Sequence, residues 1–329
     1  MLFPRWSFLV ACFATVAAVV AAPATTYAEL ISDTPQSAPL DRATVSKLIG
    51  GIATELREGY VFPDAGMRAA NALEKAVGDN AYAGVTDPAQ LAHVLTDQLQ
   101  AMTQDSHMRV IFGSPFRNQP PPTAPQGAGF EVKRLDGNIG YIRLARFAPP
   151  EIFNPAADEA MRNLSDTAAL VIDMRDNGGG HPASVAYLIS FLLDPGKRVH
   201  INDLIWRNRG TSTFRTESFW STTTPVHYLG KPVFVLVGPK TYSAGEEFAY
   251  DLQALTRATV VGEKTRGGAN PGGLKELGAD LFAVVPTGRA ENPITHGNWG
   301  GVGVLPDVQA ALGDTQDVAV AMAKGRSAR

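Results

Sequence analysis

From Gly137 onward the chain repeatedly sets a short, apolar run rich in β-branched residues against a helical segment, and this alternation restricts its fold more than any other feature. "GNIGYIRLARF", "AALVIDMRD", "KPVFVLVG", "ATVVGEK" and "DLFAVVPTG" read as strands. "PASVAYLISFLL", "GEEFAYDLQAL" and "DTQDVAVAMAKG" read as helices. Strands alternating with helices predict an α/β domain, because each helix covers a sheet face that would otherwise stay wet. Ligands in such folds gather at the carboxyl ends of the strands. At 329 residues, 45% of them hydrophobic, the chain can fill one large domain or two modest ones.

The preceding residues have another texture. "RATVSKLIGGIATELREGY" places Val45, Leu48, Ile49, Ile52 and Leu56 at helical spacing, and "DPAQLAHVLTDQLQAM" opens on an Asp-Pro helix start. The resulting division is a helical N-terminal domain over residues 29–112, a proline-rich linker over 113–129 and an α/β core over 130–329. Ahead of these, Arg5, an apolar stretch from Phe8 to Ala22 and the small-residue site Thr26-Tyr27-Ala28 outline a secretory signal peptide over residues 1–28. This predicts a secreted or periplasmic protein that touches a membrane only through an uncleaved signal segment. Cys12, the only cysteine, lies inside that segment, so the mature chain has no disulfide, thiolate nucleophile or cysteine metal ligand. A net charge of -3 supplies no general attraction to nucleic acid.

Two strand ends carry chemistry. In "GPKTYSAGEEFAYDLQ", Ser243 stands between the apolar run "KPVFVLV" and a helix with acids in its first turn. Serine is a favoured N-cap, so capping and nucleophilic catalysis both fit this stretch. In "ALVIDMRDNGGGHPASVAYLISFLL", three consecutive glycines, Gly178 to Gly180, lead from a strand into a helix. Consecutive backbone N–H groups there form an anion-binding nest. No Gly-Lys-Ser/Thr follows, which removes the phosphate-loop reading and leaves an oxyanion hole or a tight turn. Of the six histidines, His107 in "TQDSHMRVIFG" and His181 after the glycines are candidates for a base, and spacing does not choose between them.

Taken together and in order, "DSHMRV", "ALVIDMRDNGGG", "TYSAGEEFAYDLQALTRATVVGEKTRGGANPGG" and "NWGGVGVLPDV" resemble the S41 serine peptidases. That group includes the carboxyl-terminal processing peptidases, the tricorn core and the interphotoreceptor retinoid-binding protein modules, and the resemblance is closest to the last of these and their bacterial relatives. It spans about Leu40 to Val308. It implies a ClpP/crotonase-like α/β catalytic core preceded by a small helical N-terminal domain, without a PDZ domain. It also implies a serine-type endopeptidase acting on extended or unfolded peptides, with no cofactor and no metal.

By that resemblance Ser243 is the nucleophile, Ala244 offers one oxyanion N–H, and the Gly178-Gly179 turn offers the other. The processing peptidases use a lysine base where this chain has Gly268, and Lys264 is out of register. The tricorn-like branch uses a histidine preceded by a serine, which Ser106-His107 matches. An imidazole titrating near neutrality suits proton transfer in both directions. One departure is Gly300 in "NWGGVGV", where tricorn-like relatives carry a glutamate that organises the site. Without it, Ser106, another acid such as Asp105, or water must orient the histidine. The alternative is a catalytically silent module that binds an apolar small molecule or peptide in the former substrate cleft.

Overall fold

The computed structural model describes residues 39–113 and 129–327; the expected signal peptide and most of the expected linker lie outside them. Three helices come first: α1 (Arg42–Gly59), α2 (Pro63–Gly78) and α3 (Pro88–Thr103). The Asp41 side chain accepts from Thr44 N–H at 2.7 Å to start α1, and Asp87 caps α3 ahead of Pro88. Then follow β1 (Arg109–Phe112), β2 (Phe130–Leu135), β3 (Ile139–Leu144), α4 (Pro150–Leu164), β4 (Ala169–Asp173) and α5 (Pro182–Ser190). The remainder is β5 (His200–Arg207), β6 (Phe214–Trp220), β7 (Val233–Val237), α6 (Ala244–Ala254), β8 (Thr259–Gly262), β9 (Gly272–Gly278), β10 (Leu281–Pro286), β11 (Gly288–Glu291), β12 (Val308–Gln309) and α7 (Thr315–Ser327).

The central sheet has six strands in the order β12-β8-β7-β4-β3-β2, all parallel except the β2–β3 pair. Helices cover both faces, and the side-chain alternation of each strand sorts its residues between two cores. Leu170 and Ile172 of β4, with Val233, Val235 and Val237 of β7, pack beneath α4, α5 and α6. Ala169 and Val171, with Phe234, Leu236 and Val261, pack beneath Ala319 and Ala323 of α7. Every residue of β4 and β7 is therefore buried, which explains why both strands read as unbroken apolar runs. Among the described residues, no helix is long and apolar enough to cross a membrane.

The three N-terminal helices find their sheet partner far along the chain. β1 pairs antiparallel with β10, which pairs with β9. Leu281, Ala283 and Val285 of β10 share one core with Leu48, Ile52 and Leu56 of α1 and Leu91 and Leu95 of α3. A third small sheet, β11-β5-β6, flanks the central one.

One feature of the core is ionisable. Glu247 and Asp251, one turn apart on α6, are buried together. Asn292 Nδ2 donates to Asp251 Oδ1 at 2.8 Å, whereas Glu247 Oε1 and Asp251 Oδ2 lack a partner. Burial pushes the Glu247 carboxyl up to about 8 from an ordinary 4.5; burial and then the Glu247 charge push Asp251 up as well. The folded state thus keeps a proton that the unfolded chain releases above its ordinary carboxyl range, so stability falls as pH rises from about 4.5 towards 8. Thermal midpoints of the wild type should decline across that interval, and Glu247→Gln should flatten the decline. Equal slopes for the two proteins would contradict this origin.

Candidate active site

The carboxyl ends of β4 and β7, neighbours in the sheet, are tied together. Thr241 Oγ1 donates to the Met174 carbonyl at 2.8 Å, and Tyr242 N–H donates to the Asn177 carbonyl at 2.9 Å. These bonds set the Ser243 turn against the glycine turn. A Cβ added to Gly179 (φ +106°) would lie 2.8 Å from Ser243 Cβ and 3.2 Å from the Ala244 nitrogen. A side chain at that position has no space and no relaxed conformation, which accounts for the glycine.

Ser243 begins α6 with φ +55° and ψ −121°, whereas a relaxed N-cap serine sits in the extended region. For a residue with a side chain, this backbone costs about 1–3 kcal/mol. The Ser243 hydroxyl lies near the Glu246 N–H in a capping-box arrangement but makes no cap hydrogen bond. The N–H groups of Glu246 and Glu247 instead donate to the Ser243 carbonyl at 2.8 and 2.9 Å.

Glu246 supports this conformation. It is fully buried, and its carboxylate accepts from Ser243 N–H at 2.9 Å, Gly268 N–H at 2.8 Å, Gly267 N–H at 2.6 Å and the Thr265 hydroxyl at 2.5 Å. Burial raises its proton affinity, and the four donors work against that shift. The sequence signal for it was the Ser-x-x-Glu spacing of a capping box, which the reading of acids in a first helical turn passed over.

The oxyanion candidates differ in availability. Among the described residues, Ala244 N–H donates to nothing. Gly178 N–H reaches the Ala145 carbonyl at a long 3.3 Å, and Gly179 N–H is held by Asn177 Oδ1 at 2.8 Å. Ala244 and Gly178 are thus freer to turn to a ligand than Gly179.

β1 begins two residues beyond His107, and its pairing with β10 delivers the imidazole to this site. Asp105, also buried, anchors the approach by accepting from Asn270 Nδ2 at 2.9 Å, His107 N–H at 3.0 Å and the Tyr60 hydroxyl at 3.2 Å. Asp105 therefore grips the His107 backbone. The imidazole packs against the Tyr242 ring with centroids 4.6 Å apart and planes tilted by 31°, and the Ser106 hydroxyl lies 3.2 Å from the Tyr242 hydroxyl. His107 Nδ1 is buried without a partner, and among the described residues no hydrogen bond joins His107 to Ser243. Burial, and then the charges of Arg109 and Arg266, push the imidazole down to about 4. This departs from the near-neutral titration expected of a solvated histidine, and its cause is desolvation of the cationic form.

Gly268 explains the missing lysine. A Cβ there would come within 2.3 Å of the Tyr242 ring and 2.7 Å of His107 Cε1, so the imidazole and phenol fill the space beside that position. Lys264 is exposed. His181 is exposed too, and its Nδ1 caps α5 by accepting from Ala183 N–H at 3.2 Å. At Gly300, whose φ is not positive, a Cβ would meet Asn298 Oδ1 at 2.9 Å and Ala269 Cβ at 3.4 Å.

A model of peptidase family S41 matches residues 138–310, and one of the N-terminal domain of peptidase S41 in eukaryotic IRBP matches residues 34–129. The chain is 34% identical over 180 residues to the chloroplastic carboxyl-terminal-processing peptidase 2 of Arabidopsis thaliana, covering 51% of this chain and 31% of that protein. It is 30% identical over 186 residues to the carboxyl-terminal-processing protease of Synechocystis, covering 56% and 40%. The chain thus spans well under half the length of these relatives. The structure of mature CPAF complexed with lactacystin has the same fold, with a TM-score of 0.62 at 11% identity over 87% of this chain and 98% of that one.

Because four donors converge on one buried carboxylate, Glu246→Ala should destabilise the protein by about 4 kcal/mol or more, each orphaned donor costing about 1–3 kcal/mol. Amide hydrogen exchange at Gly267 and Gly268 should accelerate more than elsewhere. Unchanged exchange at those two amides would show that the loop is held by other contacts.

Proposed function

The chain belongs to peptidase family S41, and we propose that it is a serine-type endopeptidase cleaving extended or unfolded peptides, with Ser243 as nucleophile and His107 as base. The observation that carries this reading is the strained backbone of Ser243, φ +55° at the start of α6. Capping needs no such strain, whereas a nucleophile raised on a tight strand-to-helix turn uses it to expose its hydroxyl.

In this mechanism the Ser243 hydroxyl attacks the scissile carbonyl as His107 takes its proton. Ala244 N–H and Gly178 N–H, which moves off the Ala145 carbonyl, stabilise the tetrahedral oxyanion. His107 then passes the proton to the leaving amine, and water hydrolyses the acyl-enzyme by the same steps. The neutral state of His107 leaves it able to accept a proton, and its approach to Ser243 accompanies substrate binding, as in other sites whose bonds tighten only in the complex. Ser106 positions the base through the Tyr242 hydroxyl. The signal-peptide pattern of residues 1–28 supports export and, with it, a periplasmic or extracellular setting for the activity.

The unpartnered His107 Nδ1 and the glycine at position 300 favour a second reading, a silent module that holds a peptide or an apolar molecule in the same cleft. Covalent labelling separates the two. A fluorophosphonate probe should modify Ser243 and no other residue. Ser243→Gly should abolish labelling yet raise the thermal midpoint by about 2–4 °C, since glycine relieves the positive φ. An unlabelled wild type, or a label on another serine, would defeat the enzyme reading.

The acid limb of kcat/KM, which reports the free protein, should fall with a midpoint near pH 4, following the depressed imidazole. A midpoint between about 6 and 7, the ordinary range of histidine, would mean that His107 is solvated in the working protein.

A further inference from the structure

Among the described residues, two arginines beside His107 have no carboxylate partner. Arg109 follows His107 by two residues, on the side of the strand opposite the fully buried Met108, and its side chain is exposed. Arg266 is exposed within the segment gripped by Glu246, with Cζ 4.7 Å from the centroid of the Tyr242 ring against which His107 also packs. Among the described residues, neither guanidinium makes a hydrogen bond or an ion pair. Elsewhere among the described residues some surface arginines are paired, Arg57 with Glu74, Arg134 with Asp166, Arg143 with Asp176 and Arg209 with Glu55, while others lie apart from the site without an ion pair; what distinguishes Arg109 and Arg266 is their place beside His107.

The two free charges burden the chemistry. Both lower the proton affinity of His107, and they oppose the imidazolium that must form when Ser243 is deprotonated. Among the described residues, no carboxylate forms an ion pair with either of them. Asp105 is committed to Tyr60, Asn270 and the His107 backbone, and the Tyr242 hydroxyl is paired with Ser106. Arginine is also the side chain best shaped to grip a carboxylate, through parallel N–H donors.

Building on the peptidase reading above, we propose that Arg109 and Arg266 form a subsite for a carboxylate carried by the substrate near its scissile bond, whose charge offsets both guanidiniums as His107 takes the serine proton. The carboxylate belongs to an aspartate or glutamate side chain or to a free chain terminus, which share this chemistry. The protein would then prefer acidic peptides, and the substrate itself would complete the electrostatics of the base.

The test uses quenched fluorescent peptides with amidated C-termini, identical except for one glutamate or glutamine moved through the positions around the cleavage site. A further pair without glutamate has a free or an amidated C-terminus. Glutamate at one position, or the free terminus, should raise kcat/KM about tenfold or more over its neutral counterpart. The Arg109→Gln/Arg266→Gln double variant should lose that preference, and Arg266→Glu should shift it towards lysine. Equal cleavage of charged and neutral peptides by the wild type, or a preference that survives in the double variant, would overturn the subsite.

Fluorophosphonate labelling of the same samples keeps the two readings apart, because a labelled enzyme without discrimination loses only this inference. If nothing is labelled or cleaved, binding of the same peptides to the Ser243→Ala protein, followed by fluorescence anisotropy, decides it. Tighter binding of the carboxylate-bearing peptide sustains the subsite, and equal binding removes it.

Discussion

The site depends on a buried carboxylate that is fully occupied by donors. Glu246 accepts from the strained Ser243 amide, from the amides of Gly267 and Gly268 and from the Thr265 hydroxyl. An isolated buried carboxylate would be costly, but one surrounded by donors becomes a rigid clamp. The clamp extends outward. The Thr265 hydroxyl accepts from Val304 N–H at 2.7 Å, and Trp299 Nε1 donates to the Gly268 carbonyl at 2.7 Å, so the loops of residues 265–270 and 298–304 close as one layer. That layer presents Gly268 to His107 and Tyr242, and it leaves no room there for a side chain.

The second requirement is the approach of His107, the proposed base, from the other end of the chain. Helices α1 to α3 cannot bury their apolar faces alone, and they do so against β10. β1 joins that sheet directly after the Ser106-His107 pair, so the packing that completes the N-terminal core also carries the imidazole to Tyr242 and the Ser243 turn. Asp105 then fixes the backbone of the pair to Asn270, a residue of the Glu246-held layer. The same contacts hold the N-terminal core and set His107 beside Tyr242.

The local features were legible in the sequence. The β4 and β7 runs are apolar throughout because both faces of the sheet are covered, and Ser243 and the glycine turn follow them at the strand ends. The Asp-Pro start of α3 was equally plain. Spacing alone did not choose between His107 and His181, and the choice rested on the resemblance, because the approach of His107 depends on the pairing of Arg109 with Val284 across the chain. Its low proton affinity was also hidden, since it arises from burial and from Arg266, which is remote in sequence. Gly268 read as a missing lysine, and the structure supplies the reason in the close approach of two rings. Glu246 was visible as a capping-box spacing, but its grip on residues 265–268 is a tertiary fact.

The claim that one strained turn unites nucleophile, base and oxyanion donors is tested most directly by a crystal structure of the protein with a tetrahedral phosphonyl group on Ser243. Such an adduct reproduces the charge and shape of the acyl-transfer intermediate. The account predicts one phosphonyl oxygen at about 3 Å from the amides of Ala244 and Gly178, with the His107 imidazole within hydrogen-bond reach of the adduct. An oxygen pointing into solvent, or an imidazole still buried against Tyr242 without contact to the adduct, would contradict it.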